Sequence, residues 1–249
     1  MELPAKLAAL TVLLAALILS GGARAGGDAV PLRVLFVGNS LTDTNDLPAT
    51  VAALAKTAGR ELAYEKIAPG GFALEDHWNQ SDVHDALATG AWDIVIMQQG
   101  PSALPESQLN LRTWATRWAD EARAAGTRPA LLTVWPESYR QAVLPDVITS
   151  YRLAAEAARA ELFPAGSAWL AAWRCSPRTV LYGTDGFHPS RLGTYLAALV
   201  VYGRLFKAPL LSPELTPAGV QAKTARLLQA SAATALGRRL ATARRCGGA

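Results

Sequence analysis

Four short polar segments carry the residue types for acyl transfer. "VLFVGNSLTD" (34–43) runs from strand-like apolar residues straight into Gly38, Asn39 and Ser40. Pro69-Gly70-Gly71, Gln98-Gln99-Gly100 and "DGFHPS" (185–190) follow along the chain. A serine hydroxyl is a weak nucleophile until a base takes its proton. His188 can act as that base, and Asp185, three residues earlier, can orient and charge-stabilise its imidazole. The chemistry also needs preorganised donors where an oxyanion develops. The amide of Ser40, the amide of Gly71 (no side chain blocks approach to it) and a side-chain amide from the third segment would supply three.

Each residue also has a plainer reading. Ser40 could cap a helix, as serines often do, and Asp185 could cap the helix predicted to begin near Ser190. His188 could be a structural histidine, Gly71 a turn glycine with positive φ, and Gln98 a polar strand end. His77 with Trp78 could line the cleft but reads equally well as a packed helix face, and "WPE" (135–137) could be a substrate wall or a turn; these residues stay outside the catalytic set. "GNSLT" also looks superficially like the phosphate loop of a non-catalytic flavin- or phosphate-binding module, a reading that leaves "DGFHP" without a role.

The elements that must position these segments alternate. Strands are predicted at 32–37, 61–68, 92–98 and 129–135, with a short fifth in "LFPAGSAW". Helices are predicted at 46–59, 75–89, 105–126, 145–161, 190–206 and 217–243. After Arg33, "LRVLFV" continues as an unbroken apolar run with β-branched members, as a strand covered on both faces should. Strands separated by helical crossovers imply a parallel sheet. The expected fold class is therefore α/β: a three-layer α/β/α sandwich, flavodoxin-like, with a parallel sheet of about five strands. Ligands gather at the carboxyl ends of such strands, which is where the polar segments fall.

Composition narrows the function. The chain has 249 residues, 51% of them hydrophobic, enough for one domain with a real core and too apolar for a disordered protein. The formal charge is +4, with no basic block interleaved with aromatics, so no nucleic-acid partner is expected. Three histidines and two cysteines show neither HExxH nor CxxC spacing, and no metal or cofactor is expected. The apolar run Leu7–Leu19 is too short to span a bilayer. With Ala23-Arg24-Ala25 behind it, residues 1–25 read as a secretory signal and 26–249 as the mature domain, secreted or periplasmic. In an oxidising compartment Cys175 and Cys246 could pair; two free thiols are the alternative. After Glu214 the tail holds Lys223, Arg226, Arg238, Arg239, Arg244 and Arg245 and no acid. It reads as a solvated face or a peripheral contact with anionic envelope polymers or lipid head groups.

Taken together, the segments resemble the SGNH (GDSL-like) hydrolases, whose four blocks centre on Ser, Gly, Asn and His. "GNSLT" is similar to the first block, with Asn39 where many members have aspartate. "PGG" can stand for the glycine block and "DGFHPS" for the last, and the matching elements run in order over roughly 34–190. The resemblance implies Ser40 as nucleophile, His188 as base and Asp185 as its partner. It also implies a flavodoxin-like sandwich and hydrolysis of ester bonds, commonly short acyl esters. One departure is plain: "IVIMQQGPS" has glutamine where the third block has asparagine. Some branches, carbohydrate O-acetylesterases among them, look similar in using glutamine there, and glutamine carries the same NH₂ donor one methylene further out. Gln98 is the favoured donor with Gln99 next, because strand parity is not fixed without the turn. The expectation is a serine esterase acting on a small-molecule or glycan ester. The alternative is an O-acyltransferase that uses the same triad on envelope glycans.

Overall fold

The computed structural model describes residues 30–238 and Cys246. The predicted signal segment and Arg239, Arg244 and Arg245 of the basic tail lie outside the described residues. Five strands, β1 (Leu32–Val37), β2 (Leu62–Ile67), β3 (Ile94–Met97), β4 (Arg128–Leu132) and β5 (Glu161–Phe163), pair in the order β2-β1-β3-β4-β5, all parallel. The chain is thus α/β, with the sheet flanked by helices. Val34–Val37 and Ile94–Met97 are buried at every position, which explains their unbroken apolar sequence: helices cover both faces. The order reverses between β1 and β3, and that switch point opens a crevice at the carboxyl ends. Gly38-Asn39-Ser40 leaves β1 there, and Gln98-Gln99 leaves β3 beside it.

The helices are α1 (Ser40–Asp43), α2 (Leu47–Thr57), α3 (Leu74–Trp78), α4 (Asp82–Ala88), α5 (Pro105–Ala124), α6 (Leu144–Ala158), α7 (Ala165–Cys175), α8 (Arg191–Phe206) and α9 (Ala222–Ala235). Helices α5 and α6 pack together, as do α2 with α8 and α7 with both α8 and α9. No helix among the described residues is long and apolar enough to cross a membrane.

Three expectations change. The single helix over 75–89 is two, because α3 stops at Asn79, whose N–H bonds back to Glu75 and Asp76 carbonyls, and Asp82 starts afresh. "LFPAGSAW" is mostly helix: β5 ends at Phe163, and from Ala165 the chain turns into α7. Gly166 permits that turn, since a Cβ there would lie 2.6 Å from the Val134 carbonyl oxygen. The last helix begins at Ala222 rather than 217, because Gly219 (φ 79°) sits in the turn before it. Cys175, the last residue of α7, is disulfide-bonded to Cys246 with their Cα atoms 5.2 Å apart.

Candidate active site

Ser40 follows directly from the end of β1. Gly38 is needed for close approach: a Cβ there would meet the Gln98 Oε1 at 2.2 Å. Asn39 is extended (φ −139°) and caps α1, its Oδ1 accepting from the Leu41 N–H at 3.1 Å. The cap is therefore Asn39, and Ser40 is the first helical residue with its hydroxyl uncommitted to capping. The N–H of such a residue has no intrahelical partner. That of Ser40 makes no hydrogen bond to any described residue.

The fourth segment brings His188 to it. His188 Nε2 lies 2.9 Å from Ser40 Oγ, and His188 Nδ1 lies 2.5 Å from Asp185 Oδ2. The other Asp185 oxygen accepts the N–H groups of Phe187 and His188, each at 3.0 Å. Those contacts, the Phe187 amide first and the imidazole next, push the Asp185 carboxyl down to about 2. It is ionised at neutral pH, so a neutral histidine donates to it from Nδ1 and presents Nε2 to the serine as acceptor. Ser190, not Asp185, caps α8 by accepting from Gly193 N–H. The spacing of "DGFHP" is thus spent on the Asp–His contact.

Gly71 has φ 80°, a left-handed backbone that glycine adopts readily, and its N–H likewise makes no hydrogen bond to a described residue. Ser40 and Gly71 line one cleft of about 590 Å³ with Phe72, Gln99, Asn110 and Phe187. Gln98 is placed differently from the expectation. It is 1% exposed, its Nε2 donates to Asn39 Oδ1 (3.1 Å) and the Gln99 carbonyl (3.0 Å), and its Oε1 accepts from Asn39 N–H and Thr42 Oγ. Both amide hydrogens are used inside the protein, and the residue does not line the cleft. The reason is strand parity: the side chain leaving Met97 at this position turns beneath the nucleophile loop. Gln99 does line the cleft, but its Nε2 donates to Ser102 Oγ and Asn110 Oδ1 while its Oε1 accepts from Leu74 N–H. The structure brings Ser40, Asp185, His188 and Gly71 together; it leaves neither glutamine amide free.

No family model matches the sequence, and no curated protein does. Solved structures match well. A DUF4886 family protein from Bacteroides uniformis superposes with a TM-score of 0.72 at 19% identity, over 83% of this chain and 95% of that one. An SGNH hydrolase candidate from Slackia heliotrinireducens is 28% identical, with a TM-score of 0.57 over 71% of this chain and all of that one. This is an SGNH (GDSL-like) hydrolase fold. An acetyl xylan esterase shares it at 17% identity and a TM-score of 0.56, over 70% of this chain and 100% of that one.

Within the SGNH fold, several residues outside the four blocks shape the site. Asn45 Nδ2 donates to the Pro189 carbonyl (2.8 Å) and Thr194 Oγ1 (3.0 Å), tying the Ser40 segment to the His188 loop. Trp135 Nε1 donates to the Phe187 carbonyl at 3.1 Å, and Ser138 N–H to the Gly186 carbonyl at 2.7 Å. Trp135 and Ser138 therefore support the loop that carries Asp185 and His188, with Trp135 stacked 3.6 Å from Trp169. His77 is buried and donates from Nε2 to the Gly38 carbonyl at 2.7 Å. Burial holds its pKa below the usual range, outweighing that bond, so it is a neutral strut. Tyr151 reaches the third loop from α6, its hydroxyl donating to the Gln99 carbonyl at 2.5 Å. Asn45 carried a faint sequence signal, since Asn-Asp tolerates the left-handed turn seen here (φ 58° and 50°). Nothing in the sequence marked Tyr151, whose partner is 52 residues away.

Proposed function

We propose that this protein is an exported serine esterase that removes short acyl groups, O-acetyl above all, from carbohydrate. The observation that carries the reading is the continuous chain Asp185–His188–Ser40, with contacts of 2.5 and 2.9 Å, at the mouth of a cleft. Ser40 Oγ attacks the ester carbonyl while His188 Nε2 takes its proton. The tetrahedral oxyanion accepts hydrogen bonds from the Ser40 and Gly71 amides. His188, now imidazolium and stabilised by Asp185, protonates the leaving alkoxide. Water repeats the sequence on the acyl-serine and releases the acid.

A short acyl group is supported by the modest cleft, and a carbohydrate leaving group by the hydrogen-bonding side chains of Asn39, Gln99, Ser102 and Asn110 in a lining that also includes Glu106 and Phe187. An acetyl xylan esterase of the same fold is consistent with both. Export is supported by the apolar run 7–19 and by the disulfide, which belongs to oxidising compartments.

The test is turnover of p-nitrophenyl acetate and of acetylated xylo-oligosaccharide by the wild type and by Ser40→Ala. Wild-type turnover that the substitution abolishes is the expected result. Equal rates for the two proteins would sink the esterase reading. A wild type active on the aryl ester yet inert on every acetylated sugar would remove only the carbohydrate assignment.

A further inference from the structure

We propose that Gln98 is a positioning residue that clamps Asn39, and through it sets Ser40 against the glycine loop, and that it does not donate to the reaction's oxyanion. The inference rests on the triad reading above and goes beyond it, because a side-chain amide at this point of the third loop would ordinarily be taken for the oxyanion donor.

The geometry leaves no spare capacity. A glutamine side chain has two N–H donors and one carbonyl oxygen with two lone pairs. Here Nε2 donates to Asn39 Oδ1 and the Gln99 carbonyl, while Oε1 accepts from Asn39 N–H at 2.7 Å and Thr42 Oγ1 at 3.1 Å. All four are satisfied. To reach an oxyanion, Nε2 would have to leave a buried acceptor unpaired, which is worth about 1–3 kcal/mol against it.

The partner is as informative as the clamp. Asn39 is gripped at both its backbone N–H and its side-chain oxygen, and its own Nδ2 donates to the Phe72 carbonyl at 2.9 Å. Phe72 follows Gly71 directly. A line of hydrogen bonds therefore runs from Gln98 through Asn39 to the glycine loop, and the amides beside Asn39 and Phe72, those of Ser40 and Gly71, make no hydrogen bond to a described residue. Gly38 completes the device, since any side chain there would occupy the space of Gln98 Oε1. Oxyanion stabilisation is steep in distance, and a misplacement of 1 Å costs on the order of 100-fold in rate. Fixing the separation of two backbone amides is a sufficient task for a buried glutamine.

A double-mutant cycle on p-nitrophenyl acetate reads the coupling. Gln98→Ala and Asn39→Ala are each expected to lower kcat by about 10–100-fold with KM within about twofold. The double variant is expected to be no worse than the poorer single, because both break one device. Losses that multiply would overturn the proposal, since a direct donor acts independently of Asn39. Hydrogen exchange reads the clamp without turnover: the Asn39 amide is expected to be protected in the wild type and released in Gln98→Met, which keeps the volume but not the bonds. Equal exchange in the two proteins would overturn the proposal as well. If the wild type proves no more active than Ser40→Ala, the esterase reading falls while exchange still decides the clamp.

Discussion

The two halves of the site are built on opposite principles. The nucleophile side is buried: Gln98 and Asn39 are 1% and 6% exposed, and their polar atoms bond to one another rather than to water. The base side is open, with the Asp185 and His188 side chains 50% and 33% exposed on a loop. That loop is held by scattered contacts from Asn45, Trp135 and Ser138. Under the proposed mechanism the difference follows from what each half has to do. An oxyanion is stabilised by fixed donors, which have to be in place before charge develops. A proton carrier needs reach, and an exposed imidazole can adjust by tenths of an ångström. Buried networks are rigid, and substitutions inside them are felt as strain or as unpaired groups.

The sharpest way to break this contrast is to compare one substitution from each side. His188→Ala is expected to lower kcat by about 10⁴-fold, while unfolding free energy stays within about 0.5 kcal/mol of wild type, as is usual for exposed positions. Gly38→Ala is expected to do both kinds of damage. Its Cβ would sit 2.2 Å from Gln98 Oε1, so the clamp must move. Strain of this kind costs about 1–3 kcal/mol, and the displaced amides lower kcat by about 100-fold. Denaturant unfolding beside steady-state kinetics checks both. If His188→Ala proves the less stable of the two, the division into rigid and open halves is wrong.

The same division explains what could be read from the sequence. Ser40, Asp185 and His188 could be singled out from the sequence because their signals are local. Asp and His lie three residues apart in one loop, and an apolar strand delivers the serine. The strand cores Val34–Val37 and Ile94–Met97 were visible because burial on both faces makes the sequence there apolar throughout. The buried half was misread. Whether Gln98 or Gln99 faces the cleft depends on the parity of β3, and a single-residue change of phase exchanges the two faces. That Gln98 then spends its amide on Asn39, 59 residues away, is a tertiary fact with no local pattern. Helix α7 was missed for a related reason: Pro164, Gly166 and the β-compatible aromatics around them look like a strand end. Within that helix Trp169 stacks on Trp135, whose Nε1 holds the Phe187 carbonyl, a tertiary contact with no local pattern.

Asn45 bridges the halves and should give an intermediate result. Its residue is left-handed (φ 58°), so Asn45→Gly removes the two side-chain bonds without adding backbone strain. Losing the tether to Pro189 lets the base loop drift from Ser40. A fall in kcat/KM of about tenfold is expected, equal to about 1.4 kcal/mol of transition-state stabilisation. Unfolding free energy should drop by about 1 kcal/mol for the lost hydrogen bonds. A change larger than that of Gly38→Ala would mean that the base loop is as tightly determined as the nucleophile loop.

The smallest effect expected is on stability alone, and it concerns Asp185. Its carboxyl is held at about 2 against an ordinary 3.8, first by the Phe187 amide and then by the His188 side chain. A carboxyl depressed in the folded state binds protons less readily there than in the unfolded chain. Its contribution to stability is therefore complete above the unfolded value and fades as pH falls from 3.8 through about 2. Because the group is exposed, solvent screens it and the contribution is slight. Asp185→Asn keeps an oxygen for the Phe187 and His188 amides and removes the charge. The Tm of wild type should exceed that of the variant by a small margin in the upper range and converge with it as pH approaches about 2. Equal Tm values at every pH would mean that the Asp185 charge serves the imidazole without helping to hold the loop. A margin as large as that of Gly38→Ala would place Asp185 with the rigid half.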